Sequence, residues 1–355
     1  MSRVLLKGVQ KSFGDFVALH ELDLEIQEGE FLTLLGPSGC GKTTTLRLIA
    51  GFIEPTRGTI LLENEDVTKV APQHREIGMV FQDYALFPHM TIADNIAFGL
   101  KERRYPQKDI DDRVRGLLDL IRLPEVHDRY PAEVSGGQQQ RIAVARAVAY
   151  PPKVLLMDEP LGALDLKLRE TMQLELRRIQ QELAITTVYV THDQTEAMNM
   201  SDRIVVMNAG RIEQMGGAEE IYNEPKTRFV ADFVGQINLF DAHDYQSHSG
   251  LIALNGIEQT VQVPVNVKTR GESLCVGVRP EDISLMNPDA KTDDVNCLNG
   301  VISGRTFAGN LTRLFIDVGL DKPVILEAKS QSIASTIGEN VSFGWPVKLS
   351  KLLSD

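Results

Sequence analysis

The sequence holds 355 residues, 43% of them hydrophobic and 24% charged, proportions of a folded chain with room for two or three domains. Its formal net charge of −12 argues against a protein that grips nucleic acid through phosphate contacts, so any polyanionic ligand must sit in a local site. Three dispersed cysteines (Cys40, Cys275, Cys297) and seven histidines without paired-ligand spacing point to reduced thiols and leave only hard-metal chemistry.

In chain order, Leu22, Leu24 and Ile26 alternate as a half-buried strand does, and Phe31 to Leu35 is an apolar strand that runs into a glycine-rich turn. Residues 43–50 are apolar at helical spacing and stop at Gly51, a C-terminal helix signal. Val114, Leu117, Leu118 and Ile121 share one helical face, as do Leu168, Met172, Leu176, Ile179 and Leu183. The short apolar runs 154–157, 187–190 and 203–207 fit central parallel strands, so this part predicts an α/β domain. After Pro225 and a helix-like segment at 229–234 the texture changes. β-prone runs recur at 258–263, 274–278, 311–318 and 324–327 between Gly, Pro, Asn and Asp, predicting a small all-β barrel or paired barrels with a boundary near Gly235.

Three motifs carry chemistry. Gly36-Pro37-Ser38-Gly39-Cys40-Gly41-Lys42-Thr43 fits G-x-x-x-x-G-K-[ST] where a strand enters a helix. Its glycines let backbone N–H groups turn inward as an anion nest, Lys42 reaches the β and γ phosphates, and Thr43 offers a hydroxyl to Mg²⁺. Asp158 and Glu159 end an apolar strand at the sheet edge where α/β proteins bind ligands. There Asp158 suits Mg²⁺ and Glu159 suits taking a proton from an attacking water. Ser135-Gly136-Gly137-Gln138 opens a helix with a hydroxyl and open backbone N–H groups, a second phosphate site. A plain helix cap would not require the tandem glycines.

Phosphate loop, Ser-Gly-Gly-Gln and the Asp-Glu strand end, in this order, resemble the ATP-binding cassette (ABC) family. The resemblance implies an ABC-type α/β P-loop NTPase over 1–235 with a helical subdomain at about 83–150, followed at 236–355 by a small all-β, OB-like TOBE regulatory domain. It implies ATP and Mg²⁺ as ligands. The nucleotide is then held by Gly36 through Thr43 with Thr44, and by Ser135, Gly136, Gly137 and Gln138 of a second copy in a homodimer. Phe13 stacks on adenine, Gln82 senses the metal and γ-phosphate, His192 touches that phosphate, and Asp165, in Pro160-Leu161-Gly162-Ala163-Leu164-Asp165, belongs to the loop that crosses the dimer interface. Two departures are visible: Gly162 stands where the family often has Ser, leaving that loop freer, and Val134 stands where it often has Leu, keeping an apolar role.

The apolar stretch 84–92 reads partly as subdomain core and partly as a groove for a short helix of a membrane partner. No apolar run approaches the ~20 residues of a spanning helix and the first residues are no signal peptide, so the chain is expected on the cytoplasmic side. Too few residues separate Gln82 from Ser135 for the coiled-coil insertion of repair relatives, and no second phosphate loop follows. Arg279-Pro280-Glu281-Asp282 resembles the accessory β domain of importer ATPases. Residues 29–35 and 229–238 are most similar to the spermidine/putrescine importer group. The implied partners are integral-membrane permease subunits and, indirectly, an extracytoplasmic solute-binding protein, with no nucleic acid. Ferric iron, sulfate, phosphonate or sugar import, or a soluble cassette that remodels a macromolecule, are the alternatives.

Overall fold

The computed structural model describes residues 3–162, 164–265, 273–286, 294–332 and 335–354. The chain divides into two compact units, Met1–Ala218 and Glu219–Asp355. No helix among the described residues is long and apolar enough to cross a membrane.

The first unit opens with β1 (Val4–Phe13), β2 (Phe16–Ile26) and β3 (Phe31–Leu35), followed by α1 (Lys42–Ala50), β4 (Arg57–Leu62), β5 (Glu65–Asp66) and β6 (Ile77–Val80). Helices α2 (Ile92–Glu102), α3 (Gln107–Leu120) and α4 (Gly136–Ala147) come next. The unit closes with β7 (Val154–Asp158), α5 (Leu166–Leu183), β8 (Thr186–Thr191), α6 (Gln194–Met200), β9 (Arg203–Asn208) and β10 (Arg211–Gly216). A six-stranded sheet in the order β10-β9-β3-β8-β7-β6 is parallel except for β10, and an antiparallel sheet has the order β2-β1-β4-β5.

Alternation along the central strands fills two cores. In β7, Val154 and Leu156 join Leu34, Leu46 and Val205, packed against the antiparallel sheet and α1, while Leu155 and Met157 join Ile96, Val114, Ile142 and Ile179 of the helical layer. In β8, Val188 and Val190 face the first core and Tyr189 the second. A strand buried on both faces reads as a continuous apolar run, which is why these strands were legible. Strand β1 was not: its register shifts between Leu6 and Val9, around Gly8 at φ +55°, so its buried residues lose the period of two.

The second unit carries α7 (Ala218–Asn223) at its start, then α8 (Arg228–Phe233) and β11 (Asn238–His243), β12 (Leu251–Leu254), β13 (Thr260–Gln262), β14 (Leu274–Val278) and β15 (Ser284–Met286). It continues through β16 (Val295–Ala308), β17 (Leu311–Asp317), β18 (Val324–Lys329), β19 (Asn340–Pro346) and β20 (Lys351–Ser354). Two five-stranded antiparallel sheets, β13-β12-β11-β14-β20 and β15-β19-β16-β17-β18, enclose one core that includes Phe240, Val276, Leu298, Leu314, Phe343 and Trp345. Phe240 and Trp345 stack with ring centres 5.9 Å apart, and the indole N–H donates to Ser350 Oγ at 2.8 Å.

The division falls ahead of the expected boundary near Gly235 because Arg279 ties the 222–236 segment to the β sheets. Its guanidinium, 5% exposed, donates to Val234 O at 2.7 Å, Tyr222 O at 2.8 Å and Gln236 O at 3.1 Å, and lies 4.0 Å over the Tyr222 ring. Gly235, at φ +73°, leaves no room for a side chain: a Cβ there would lie 2.6 Å from Tyr222 Cε2. Arg279→Met takes the guanidinium from these three carbonyls and from Ala231 O, a fourth acceptor at 3.4 Å. It is expected to destabilise the second unit by on the order of 3 kcal/mol, read as a lowered calorimetric transition of the full chain. An unmoved transition would refute the fastening role.

Candidate functional site

Strand register brings the motif loops to one edge of the central sheet. Leu35 pairs with Thr191, Asp158 with Val190, and Val80 with Met157. The carboxyl ends of β3, β8, β7 and β6 therefore lie side by side. Just beyond them come Gly36, His192, Glu159 and Gln82, the edge at which parallel sheets bind ligands.

The loop after β3 depends on close backbone approach. A Cβ on Gly36 would lie 2.3 Å from Met207 O and 2.6 Å from Cys40 Sγ. Gly39 and Gly41 sit at φ +79° and +105°, a region that favours glycine, and Gly41 caps α1 with no side-chain hydrogen bond. The first N–H groups of α1 are thus open to an anion. Lys42 is 5% exposed and its Nζ donates to Gly36 O at 2.7 Å and Pro37 O at 3.0 Å, so the ammonium sits inside the loop. Cys40 is buried beside it, and burial pushes its thiol up from the usual range. Ser38 and Gly39 are exposed at the loop tip, and Pro37, Thr43 and Thr44 are half-buried. This is a cradle of N–H donors and one cation, closed by a glycine that a Cβ would block.

Thr43 Oγ1 donates to Asp158 Oδ1 at 3.2 Å, joining α1 to the end of β7. Burial raises the Asp158 carboxyl above the usual range, and the neighbouring Glu159 charge adds to it, against the opposing Thr43 hydrogen bond. Glu159 holds φ +46°, unusual for a residue with a side chain, with its N–H donating to Val190 O at 3.0 Å. Its Oε2 lies 3.2 Å from His192 Nδ1, bringing the two side chains together across neighbouring strand ends. Gln82 is exposed beyond β6 and makes no hydrogen bond to Thr43, Asp158 or Glu159 among the described residues. Phe13, at the end of β1, is 51% exposed, so it is not a core aromatic; Lys11 Nζ lies 4.9 Å from its ring centre.

Ser135 caps α4 reciprocally: Gln138 N donates to Ser135 Oγ at 3.4 Å, and Ser135 N donates to Gln138 Oε1 at 2.9 Å. Gly136 and Gly137 form the first turn, and a Cβ on Gly137 would come within 3.0 Å of Leu168 Cδ1 on α5. The tandem glycines therefore serve packing as well as open N–H groups. Among the described residues no hydrogen bond joins Ser135 or Gln138 to the loop after β3. Asp165 caps α5, accepting from Leu168 N at 3.0 Å; Ala163 of its motif lies outside the described residues. Two charged groups beside the site, half-buried Arg169 and buried Glu196, belong to none of the motifs above.

The Gly36 contact yields a prediction. Gly36→Ala must displace either a backbone carbonyl or the loop, and losing one hydrogen bond to a charged phosphate costs about 1.5–3 kcal/mol, so nucleotide affinity is expected to fall about 10- to 100-fold. Titration with a fluorescent ATP analogue reads it, and near-native affinity in a folded variant would contradict the close-approach argument.

The family model for ABC transporter matches residues 19–162, and that for the TOBE domain matches residues 276–348. A spermidine/putrescine import ATP-binding protein of Acidothermus cellulolyticus is 48% identical over 354 residues, covering 96% of this chain and 91% of that protein. Its namesake in Vibrio cholerae is 44% identical over 359 residues, covering 99% and 94%. Among solved structures, the dimeric bacterial ABC transporter cassette MJ0796 is 34% identical with a TM-score of 0.54, covering 61% of this chain and 98% of that one. The same cassette is known in a post-hydrolysis state bound to ADP and Pi. The chain belongs to the ABC transporter ATPases, as a member whose cassette is followed by a TOBE domain.

Proposed function

We propose that this ATPase drives polyamine import as a homodimer beneath integral-membrane permease subunits at the cytoplasmic face of the cell membrane. The observation that carries the enzymatic part is the convergence of Lys42, Thr43, Asp158, Glu159 and His192 at one sheet edge. The relatives named for spermidine and putrescine import, similar over nearly their whole length, favour a polyamine over iron, sulfate, phosphonate or sugar, and a transporter over a soluble remodelling ATPase. The solute itself meets a binding protein and the permease, not this subunit.

Each residue has one task in this reading. The N–H groups of Gly39 to Thr44 and the Lys42 ammonium hold the phosphates, with Phe13 offering its open ring to adenine. Thr43 and Asp158 supply hard oxygen ligands for Mg²⁺, with Gln82 reaching in from β6. When bound, that ion neutralises charge on the phosphates. Glu159 orients the attacking water and takes its proton, and His192 contacts the γ-phosphate from the neighbouring strand end. Ser135, Gly136, Gly137 and Gln138, which among the described residues make no hydrogen bond to this chain's own phosphate loop, serve the nucleotide of the partner protomer. Asp165 lies at the same junction.

The stretch 84–92 divides between two uses. Tyr84 and Ile92 are core, whereas Phe87, 4.6 Å from Phe98 between ring centres, lines a groove of about 380 Å³ with Met79, Phe81, Ala85 and Arg103. Arg146 fixes its wall by donating to Ala85 O at 2.6 Å and Tyr84 O at 2.9 Å. We assign this groove to a short permease helix. Every candidate catalytic residue lies upstream of the second unit, which is assigned to regulation.

Two outcomes test the chemistry. Glu159→Gln keeps the cradle but removes the base, so turnover is expected to fall ~10²–10⁴-fold with ATP binding retained. Near-normal turnover of the purified variant would reject the role. Mg²⁺ needs an ionised Asp158, whose carboxyl is raised, so protons compete with the metal at higher pH than at an ordinary carboxylate. Once protonation of ATP itself is corrected for, the Mg²⁺ concentration for half-maximal ATPase is expected to rise as pH falls; a flat corrected profile would contradict this. For the solute, ATPase in a reconstituted complex should respond to spermidine or putrescine with their binding protein, and a response only to another solute would overturn the polyamine assignment.

A further inference from the structure

One guanidinium touches three pieces of chain around the sheet edge. Arg169, on the first turn of α5, donates from Nη1 to Asp193 Oδ2 at 3.0 Å and from Nη2 to Leu164 O at 3.1 Å, with Nε 3.8 Å from Glu196 Oε1. Leu164 belongs to the loop between Glu159 and Asp165, Asp193 directly follows His192, and Glu196 lies on α6. Glu196 is 2% exposed and accepts from Tyr189 Oη and Thr191 Oγ1, both at 2.7 Å, so its position is fixed by the strand that carries His192.

These contacts close a ring. Gly162 N donates to Glu159 O at 3.2 Å and Leu164 N to Leu161 O at 3.1 Å, giving the turn that leads from Glu159 to Leu164. Arg169 carries the path from Leu164 to Asp193, and His192 returns to Glu159 at 3.2 Å. An exposed ion pair would contribute little. A planar fork that spans a carboxylate and a backbone carbonyl fixes distance and angle together, which lysine cannot do. Gly162 brings no side chain to this loop, so the Leu164 carbonyl is where a side chain grips it.

We propose that Arg169 is a positioning residue that holds the His192 loop against Glu159 and ties both to the 159–165 loop facing the second protomer. Docking of the partner on that loop then reaches the His192–Glu159 contact through one side chain. The inference rests on the roles given above to His192 and Glu159.

The test uses the full-length chain. Arg169→Met keeps the length and the stem, and is expected to lower kcat about tenfold, the scale of a lost coupling contact, with ATP affinity unchanged and Tm lowered only in part, by the lost Glu196 counter-charge. Arg169→Lys, able to make one of the two bonds, should fall between. Asp193→Asn removes the charge while preserving the α6 cap, and combined with Arg169→Met it should slow turnover no further than the slower single variant. Three outcomes overturn the link: native kcat in Arg169→Met, a parallel loss of ATP affinity and Tm, or additive effects in the double variant. His192→Ala run alongside separates the two readings. If it turns over normally, the His192 role fails and the proposal with it; if it is impaired while Arg169→Met is not, only the Arg169 link fails.

Discussion

The central parallel strands are buried on both faces, and the rest of the first unit follows from that constraint. With Leu155 and Met157 committed to the helical layer and Val154 and Leu156 to the antiparallel layer, β7 has no side on which to display a polar group. Charge can appear only where the strand ends. Asp158 and Glu159 stand there, as do Gly36 after β3 and His192 after β8, and strand register alone makes them neighbours. The supports of the site are buried, hydrogen-bonded strands, and its residues arrive from positions far apart in sequence.

Legibility followed the same physics. Strands β3, β7, β8 and β9 announce themselves because double-faced burial leaves short, mostly apolar runs. Strand β16 hides because Asn299, Gly300 and Gly304 interrupt it. At Gly300 a Cβ would lie 2.5 Å from Asp317 O, so the glycine that blurs the pattern is demanded by the neighbouring strand. The phosphate loop and the Asp-Glu pair were readable because local geometry dictates them. The contact between Glu159 and His192 was not, since it depends on which strand lies beside which. Arg169 was invisible for a further reason: its partners are a backbone carbonyl and two acids spread over thirty-odd positions, a relation with no period.

The second unit solves a different problem. Short antiparallel strands with ragged alternation make a thin core, and polar staples supplement it: Asn296 Nδ2 donates to Gln262 O at 2.7 Å and Ser350 Oγ at 3.0 Å, and Asn238 Nδ2 donates to Ile325 O at 2.8 Å. Fully paired networks of this kind specify one arrangement of strands. Arg279 extends the device to the segment ahead of the sheets, which explains why a change of texture at Gly235 marks the start of the strands but not of the compact unit.

The backbone of Glu159 has an evolutionary consequence. A glutamate held at φ +46° costs on the order of 1 kcal/mol relative to a glycine or asparagine in the same place. Drift toward a more stable fold therefore runs downhill away from the acid, and the glutamate persists only where selection for turnover opposes it. A degenerate or regulatory copy of this cassette, freed from that selection, would shed this carboxylate early while keeping the phosphate loop, whose glycines are already in their most comfortable conformations.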